Sequence, residues 1–238
     1  MQILIPIAGR GLRFKNSKYT KPKPLIDIFG KPMIIRALEN FNIKAKFFFI
    51  LKNNDFFSDL KKVLIKEIPN CQIIITNEYT EGPACSALLA KKYLDMEDEL
   101  IITNCDQYMN WNIQNFVKET KKKEIDGLIV TYKTDVIHNS YAKIQNGYVV
   151  EIKEKEVISE HSLNGVHYWR KASFFVESSN EMISTNDRAP NGEFYIGPTY
   201  NYMINKGYKI GYFNLEKENH YSLGNVTDLD YFFKNEKL

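Results

Sequence analysis

Cysteine is scarce in this sequence. Only Cys71, Cys85 and Cys105 occur in 238 residues, and their scattered positions offer neither a disulfide framework nor metal-ligand spacing, so a reducing, cytoplasmic setting is expected. Long apolar runs are missing too. None approaches the roughly 20 residues of a membrane-spanning helix, and Met1-Gln2-Ile3-Leu4 lacks the basic segment and cleavage site of a secretory leader. No membrane association is expected. Histidine is limited to His138, His161, His167 and His220, without zinc-ligand spacing. Charge of one sign is also lacking. With 32 basic and 29 acidic residues the net charge is only +3, which gives no electrostatic footprint for nucleic acid. The basic run Lys121-Lys122-Lys123 reads as a solvated helix face. Tyr and Phe, 15 of each, are dispersed as core residues are, with no concentration that would form a base-stacking platform.

What is present is enough apolar content, 44%, to bury one sizeable core, so residues 1–238 read as a single domain. Short runs rich in Ile, Phe and Val at Ile3–Ile7, Phe47–Leu51, Gln72–Thr76, Leu100–Thr103 and Gly127–Tyr132 predict strands. Between them, three- and four-residue apolar spacing predicts helices over Met33–Asn40, Phe56–Ile68, Pro83–Leu94 and Ile113–Lys122. The alternation implies an α/β fold, Rossmann-like, with a mostly parallel sheet and helices on both faces. Beyond about residue 135 the pattern changes. A hairpin over Tyr141–Glu154 turns at Asn146-Gly147, followed by a strand near Gly165–Trp169 and a helix near Phe174–Ile183. This second stretch reads as a smaller α+β half of the same domain.

The first strand runs into Ala8-Gly9-Arg10-Gly11-Leu12-Arg13 and then into Lys21-Pro22-Lys23-Pro24. Glycines at 9 and 11 allow close backbone approach, and Arg13 and Lys23 add fixed positive charge, a combination suited to a polyphosphate. Two better-known phosphate loops are excluded. Phe14 stands where the dinucleotide fingerprint needs its third glycine, and no Gly-Lys-Ser/Thr follows Gly11. The alternative is a glycine-rich turn carrying solvated cations.

In an open α/β sheet, ligands collect beyond the carboxyl ends of the strands. Both the Gly9 loop and Asn104-Cys105-Asp106 follow apolar runs at such ends, so they should face one crevice. Asp106 would there hold a divalent cation, magnesium, which accepts one or two carboxylates plus phosphates and water. The alternative is Asp106 as a helix cap.

Three pieces together, Gly9 to Arg13, Pro22-Lys23-Pro24 and Gly30-Lys31-Pro32-Met33, resemble the signature of the nucleotidylyltransferases that activate phosphorylated sugars and related alcohols. Asn104-Cys105-Asp106-Gln107, Glu154-Lys155, Asn164-Gly165-Val166 and Asn191-Gly192-Glu193-Phe194-Tyr195-Ile196 follow in that family's order, so the resemblance covers nearly the whole chain. It implies a fold like that of nucleotide-sugar glycosyltransferases of the GT-A type, with a nucleotide-binding half over about residues 1–135 and an acceptor-binding half over about 136–238. It also implies in-line attack of an acceptor phosphate on the α-phosphorus of a nucleoside triphosphate, with Arg13, Lys23 and magnesium-bound Asp106 at the reacting groups. Ala8, Gly9, Arg10, Gly11, Thr80, Gly82 and Asn104 would bind the nucleotide, the Thr80–Ser86 loop reading the base through its backbone. Lys155, Gly165 and Glu193 would bind the acceptor, although Glu156 stands where the family often has Pro after the lysine. A late Trp-x-Asp-x-Gly-Thr motif is replaced here by Tyr221-Ser222-Leu223-Gly224-Asn225, leaving Ser222, Asn225 or Asp228 as candidates for a second metal ligand.

Within the family, the sequence is similar to a branch associated with bacterial capsule biosynthesis. That likeness implies CTP and L-glutamine phosphate as the substrate pair, on a route to a phosphoramidate group. A sugar 1-phosphate is the alternative acceptor. A related glycosyltransferase or a non-catalytic nucleotide-binding module is a third reading, against which Lys23 counts, because a cation between two phosphates serves an incoming phosphate. For the Asn191-Gly192-Glu193 segment, a turn at a helix start is the structural alternative.

Overall fold

A computed structural model describes residues 1–9, 14, 17–54, 56–122 and 124–236. In chain order the elements are β1 (Gln2–Ile7), β2 (Asp27–Ile28), β3 (Lys31–Pro32), α1 (Met33–Leu38), β4 (Lys46–Lys52), α2 (Phe57–Glu67), β5 (Gln72–Thr76), α3 (Pro83–Leu88), β6 (Leu100–Thr103) and β7 (Gln107–Met109). They continue with α4 (Ile113–Thr120), β8 (Gly127–Lys133), β9 (Ser140–Gln145), β10 (Tyr148–Glu154), β11 (His161–Trp169), α5 (Ala172–Ser184), α6 (Thr199–Asn205), β12 (Ile210–Leu215), β13 (His220–Ser222) and α7 (Val226–Asn235).

Nine strands form one sheet in the order β5-β4-β1-β6-β11-β8-β12-β10-β9. From β5 to β6 every pairing is parallel. β11 is antiparallel to both β6 and β8, and β10 is antiparallel to β12 and β9, while β8 and β12 are parallel. The sheet is therefore mixed, which corrects the expectation of a mostly parallel one. The parallel expectation holds for the first four strands, where long crossovers carry the chain back before each new strand. It fails where β11 inserts between β6 and β8, a long-range pairing that local periodicity does not encode. The two halves expected to divide near residue 135 also interleave, since β11 lies between β6 and β8 and so joins both in one continuous sheet.

Alternation along the strands splits the core between two faces. Ile3 and Ile5 of β1 point to one side with Phe49, Leu51, Ile101 and Leu128, against Leu60 and Leu64 of α2 and Phe116 of α4. Leu4 points to the other with Phe48, Ile50, Ile102 and Trp169, against Ala84 and Ala87 of α3, Phe175 of α5 and Tyr200 of α6. Period-two alternation with both faces covered explains why these central strands read as unbroken apolar runs. A third cluster of Phe14, Ile26, Ile28, Met33, Tyr108, Leu223, Leu229 and Phe232 pins α7 and the β2–β3 hairpin beside the strand ends. Each fully buried Leu, Ile or Phe contributes roughly 1.5–3 kcal/mol.

The expected helix over Pro83–Leu94 is shorter: α3 ends at Leu88, and tighter three-residue turns carry the chain through Lys91–Tyr93. Leu89 and Ala90 donate to carbonyls three residues back, at 3.2 and 3.0 Å, the geometry of a tightened last turn.

Candidate active site

β1 and β6 are hydrogen-bonded neighbours, so the segments leaving their carboxyl ends emerge side by side. Ala8 is buried just beyond β1 and Gly9 opens onto a cavity of about 840 Å³, whose wall includes Phe14, Lys21, Lys23, Lys52, Tyr79, Asn104 and Asp106. A second cavity of about 590 Å³ lies on the other side of Asp106, lined by Asn104, Gly165, Glu154, His167, Tyr195, Asp228 and others. Asn104 and Asp106 belong to both walls. The two chambers thus meet at one carboxylate.

Lys23 sits in a single 3-10 turn, Lys23–Leu25, started by Pro22 and carrying Pro24 inside its first turn. Fixed proline φ angles preset that turn. The Lys23 ammonium is thereby held at the junction, paired with Asp106 Oδ2 and donating to the Gly224 carbonyl at 3.2 Å. β7 follows Asp106 directly, so Asp106 does not cap a helix. The neighbouring Cys105 thiol is pushed up to about 12, by burial first and the Asp106 charge second, which leaves it protonated and unsuited to nucleophilic work.

Arg10, Gly11 and Arg13 lie outside the described residues, as does Lys123 of the basic run.

The late stretch folds against Asp106. β13 pairs with β7, placing Ser222 opposite Gln107, and the Leu223 amide donates to the Asp106 carbonyl at 2.8 Å. Asn225 caps α7, its Oδ1 accepting from the Asp228 amide at 2.9 Å. The Asp228 carboxylate accepts from Ser222 Oγ at 2.6 Å and Asn225 Nδ2 at 2.9 Å. All three residues line the second cavity beside Asp106. Among the described residues, no group of three His, Cys, Asp or Glu side chains gathers as a metal cluster. An oxygen-rich corner with one carboxylate at the chamber junction nevertheless fits magnesium, which takes few protein ligands and completes its shell with phosphate and water.

In the Thr80–Ser86 loop, expected to read the base, Gly82 has φ +130°, a conformation that side-chain-bearing residues avoid. A Cβ there would stand 2.5 Å from the Phe194 carbonyl oxygen. Thr80 Oγ1 donates to the Gly82 carbonyl at 3.1 Å. Neither Thr80 nor Gly82 is among the residues walling the two cavities, whereas Pro83 lines the second.

Among the residues expected to bind the acceptor, Gly165 has φ +95°, and a Cβ would stand 2.8 Å from Asn104 Cγ. That close approach joins β11 to the end of β6. The Lys155 ammonium lies 5.0 Å over the Tyr195 ring, which lines the second cavity. Glu193 is exposed and lines neither cavity, its carboxylate accepting from Asn191 Nδ2 at 2.9 Å. No helix begins at this turn; α6 starts at Thr199.

Besides Asp106 and Asp228, Glu154 brings a carboxylate to the wall of the second cavity, where the sequence alone marks it only as the neighbour of Lys155. It accepts from Ser140 Oγ, and burial raises its pKa above the ordinary range. His167 is a further wall residue for which the sequence offered no role. It is 6% exposed, has no partner for Nδ1 among the described residues, and is held by burial at about 3, hence neutral. Gly30-Lys31-Pro32 proves to be scaffold: Gly30 turns the β2–β3 hairpin, and Lys31 pairs with Glu39 at 2.7 Å on the surface.

The profile of the family described as nucleotidyl transferase matches residues 3–233. The chain is 25% identical over 230 residues to the bifunctional protein GlmU of Thermodesulfovibrio yellowstonii, covering 92% of this chain and 48% of that protein. Over 140 residues it is 26% identical to the mannose-1-phosphate guanylyltransferase catalytic subunit beta of Xenopus tropicalis, covering 57% of this chain and 39% of that one. It spans about half or less of the length of these curated relatives. Among solved structures, the nucleoside-diphosphate-sugar pyrophosphorylase from Vibrio cholerae superimposes with a TM-score of 0.86 at 23% identity, covering 98% of this chain and 100% of that one. The inositol-1-phosphate CTP transferase from T. maritima gives 0.75 at 12%, covering 95% and 90%. The folds agree, and the family profile spans nearly the whole sequence: the chain belongs to the nucleotidyl transferase family.

Proposed function

We propose that the chain joins a nucleoside triphosphate to a phosphorylated small acceptor and releases pyrophosphate. The observation that carries this is the Lys23–Asp106 pair at the junction of two chambers. The larger chamber takes the triphosphate and the smaller one the acceptor. An acceptor phosphate oxygen attacks the α-phosphorus, the bond to the bridging oxygen of the β-phosphate breaks, and pyrophosphate leaves with that electron pair. Lys23 lies between the two phosphates and offsets their repulsion as they approach; Arg13 serves the departing pyrophosphate. No side chain forms a covalent bond, so catalysis comes from positioning and charge. Magnesium, held by Asp106 and the nucleotide, would neutralise phosphate charge.

A sugar 1-phosphate is the leading acceptor class, in keeping with the sugar-phosphate enzymes among the relatives. A second reading, CTP with L-glutamine phosphate in capsule biosynthesis, is favoured by Glu154, a carboxylate in the acceptor chamber that suits an amine.

Pyrophosphate release with magnesium tests both. CTP, UTP, dTTP, ATP and GTP are each paired with sugar 1-phosphates, phosphocholine and L-glutamine phosphate, with Asp106→Ala as blank. Turnover with any pair supports the activity, and the acceptor used decides between the two readings. No turnover with any pair refutes the activity.

A further inference from the structure

Arg188 takes part in neither chamber, yet it touches both loops assigned to the two substrates. Its side chain is 31% exposed and leaves the segment after α5. Nε donates to Asn186 Oδ1 at 2.6 Å, one Nη to the Gly192 carbonyl at 2.8 Å, and the other to Glu81 Oε2 at 2.5 Å. The guanidinium lies 4.1 Å over the Phe194 ring. One planar fork therefore ties residue 81, in the loop that the family resemblance assigns to the base, to residues 192 and 194, in the segment that it assigns to the acceptor, which a point-like ammonium could not do.

The backbones beneath it are paired as well. The Phe194 amide donates to the Glu81 carbonyl at 2.8 Å and the Ala84 amide to the Phe194 carbonyl at 3.0 Å. Gly82 packs so closely on Phe194 that no side chain fits between them. From Phe194 the chain passes directly to Tyr195, whose ring carries Lys155 and lines the acceptor chamber.

We propose that Arg188 is a positioning residue that locks the base-side loop and the acceptor-side loop into one unit, so that nucleotide bound at the first orders the second. The inference rests on the substrate assignments given above. Coupling of this kind is reciprocal: acceptor must raise nucleotide affinity by the same factor.

Hydrogen exchange on the full chain tests the lock, with wild type, Arg188→Ala, Arg188→Lys and Glu81→Gln, without ligand and with each of the five nucleotides plus magnesium. Without ligand, the Ala84 and Phe194 amides of Arg188→Ala exchange about tenfold faster than wild type. Arg188→Lys falls between, keeping the pairing with Glu81 but losing the fork. If Arg188→Ala does not fold, the Lys and Gln variants carry the same comparison. In wild type, a nucleotide that protects residues 80–86 also protects 189–195; in Arg188→Ala protection stops at 80–86. With the substrate pair that turns over, Arg188→Ala raises acceptor KM roughly tenfold and changes kcat less than about threefold.

Unchanged exchange at Ala84 and Phe194 in Arg188→Ala, or protection still reaching 189–195, overturns the proposal while leaving turnover, and so the proposed activity, intact. Absence of protection at 80–86 with every nucleotide, together with absence of turnover, overturns the activity and the coupling with it.

Discussion

The two sides of the sheet are built on different logic. From β5 to β6 four parallel strands end at one edge, and short local motifs leave those ends already facing the larger chamber. From β11 to β9 the strands run in mixed directions, and the smaller chamber takes its walls from distant pieces: Ser140, Glu154, Gly165, Tyr195 and Asp228. The larger chamber takes its wall from residues 6–24, 52–60, 79 and 104–106, fewer separate stretches than the smaller one uses. Lys23 and Asp106 stand on the boundary between them.

The largest effect is expected at that boundary. Lys23→Ala and Asp106→Ala should each lower turnover roughly a hundredfold or more, because each removes fixed charge at the reacting phosphates. Pyrophosphate release under saturating substrates measures this. A Lys23→Ala enzyme that kept a third of its rate would place the reacting groups elsewhere and break the comparison.

Glycines on the two loops should then divide by role. Gly82→Ala should cost about 3 kcal/mol of stability, since φ +130° and the Phe194 backbone both oppose a side chain. Gly9→Ala meets no atom of the described residues within 4 Å, so its unfolding should shift by less than about 0.5 kcal/mol while nucleotide affinity falls. Urea unfolding of both variants checks the pair. Equal losses would mean that the Gly9 loop is packed like the Gly82 loop and is not an open phosphate-facing turn.

The wall of the smaller chamber holds an acid-sensitive group. Burial holds His167 at about 3 in the folded chain, far below the 6.5 of an exposed imidazole. The unfolded chain therefore takes up a proton that the folded chain refuses. Stability is fully present above about 6.5 and is lost as pH falls toward 3, at about 1.4 kcal/mol per pH unit once well below 6.5. His167→Phe should make the stability profile flatter by that slope between about pH 5.5 and 4.5. Parallel profiles for the two proteins would mean that His167 is already protonated in the folded state.

The larger-chamber side was the more legible in sequence, for physical reasons. Central parallel strands are covered on both faces, so β1, β4, β5 and β6 appear as apolar runs that need no partner to be recognised. Motifs at their ends lie close to their targets. On the other side, β12 carries Gly211 and Asn214, and β7 and β13 are three residues each, so none of the three leaves a local period. The strand expected near Gly165–Trp169 is the end of β11, but its pairing with β6 is long-range and leaves no local mark. Asn225 and Asp228 show how a reading aimed at ligands can pass over structure: Asn225 three residues before an acid is a helix start, and α7 begins there. Arg188 was invisible because its partners Glu81, Gly192 and Phe194 are joined only by the fold.

The smallest effect is expected at Lys31, and it sharpens the contrast with Lys23. Both lysines stand between or beside prolines in the motifs that signal the family. Lys31, however, is half exposed and pairs with Glu39 on the surface, where an ion pair contributes at most about 1 kcal/mol. Glu39 also keeps Arg36, which is 7% exposed and holds the Ile28 and Phe29 carbonyls of the hairpin. Lys31→Ala should therefore lower stability by about 0.5 kcal/mol or less and leave turnover within about twofold of wild type. Measured beside Lys23→Ala, it separates a lysine that shapes the hairpin from one that meets the phosphates. A large loss of turnover in Lys31→Ala would mean that the β2–β3 hairpin moves onto the nucleotide during the reaction.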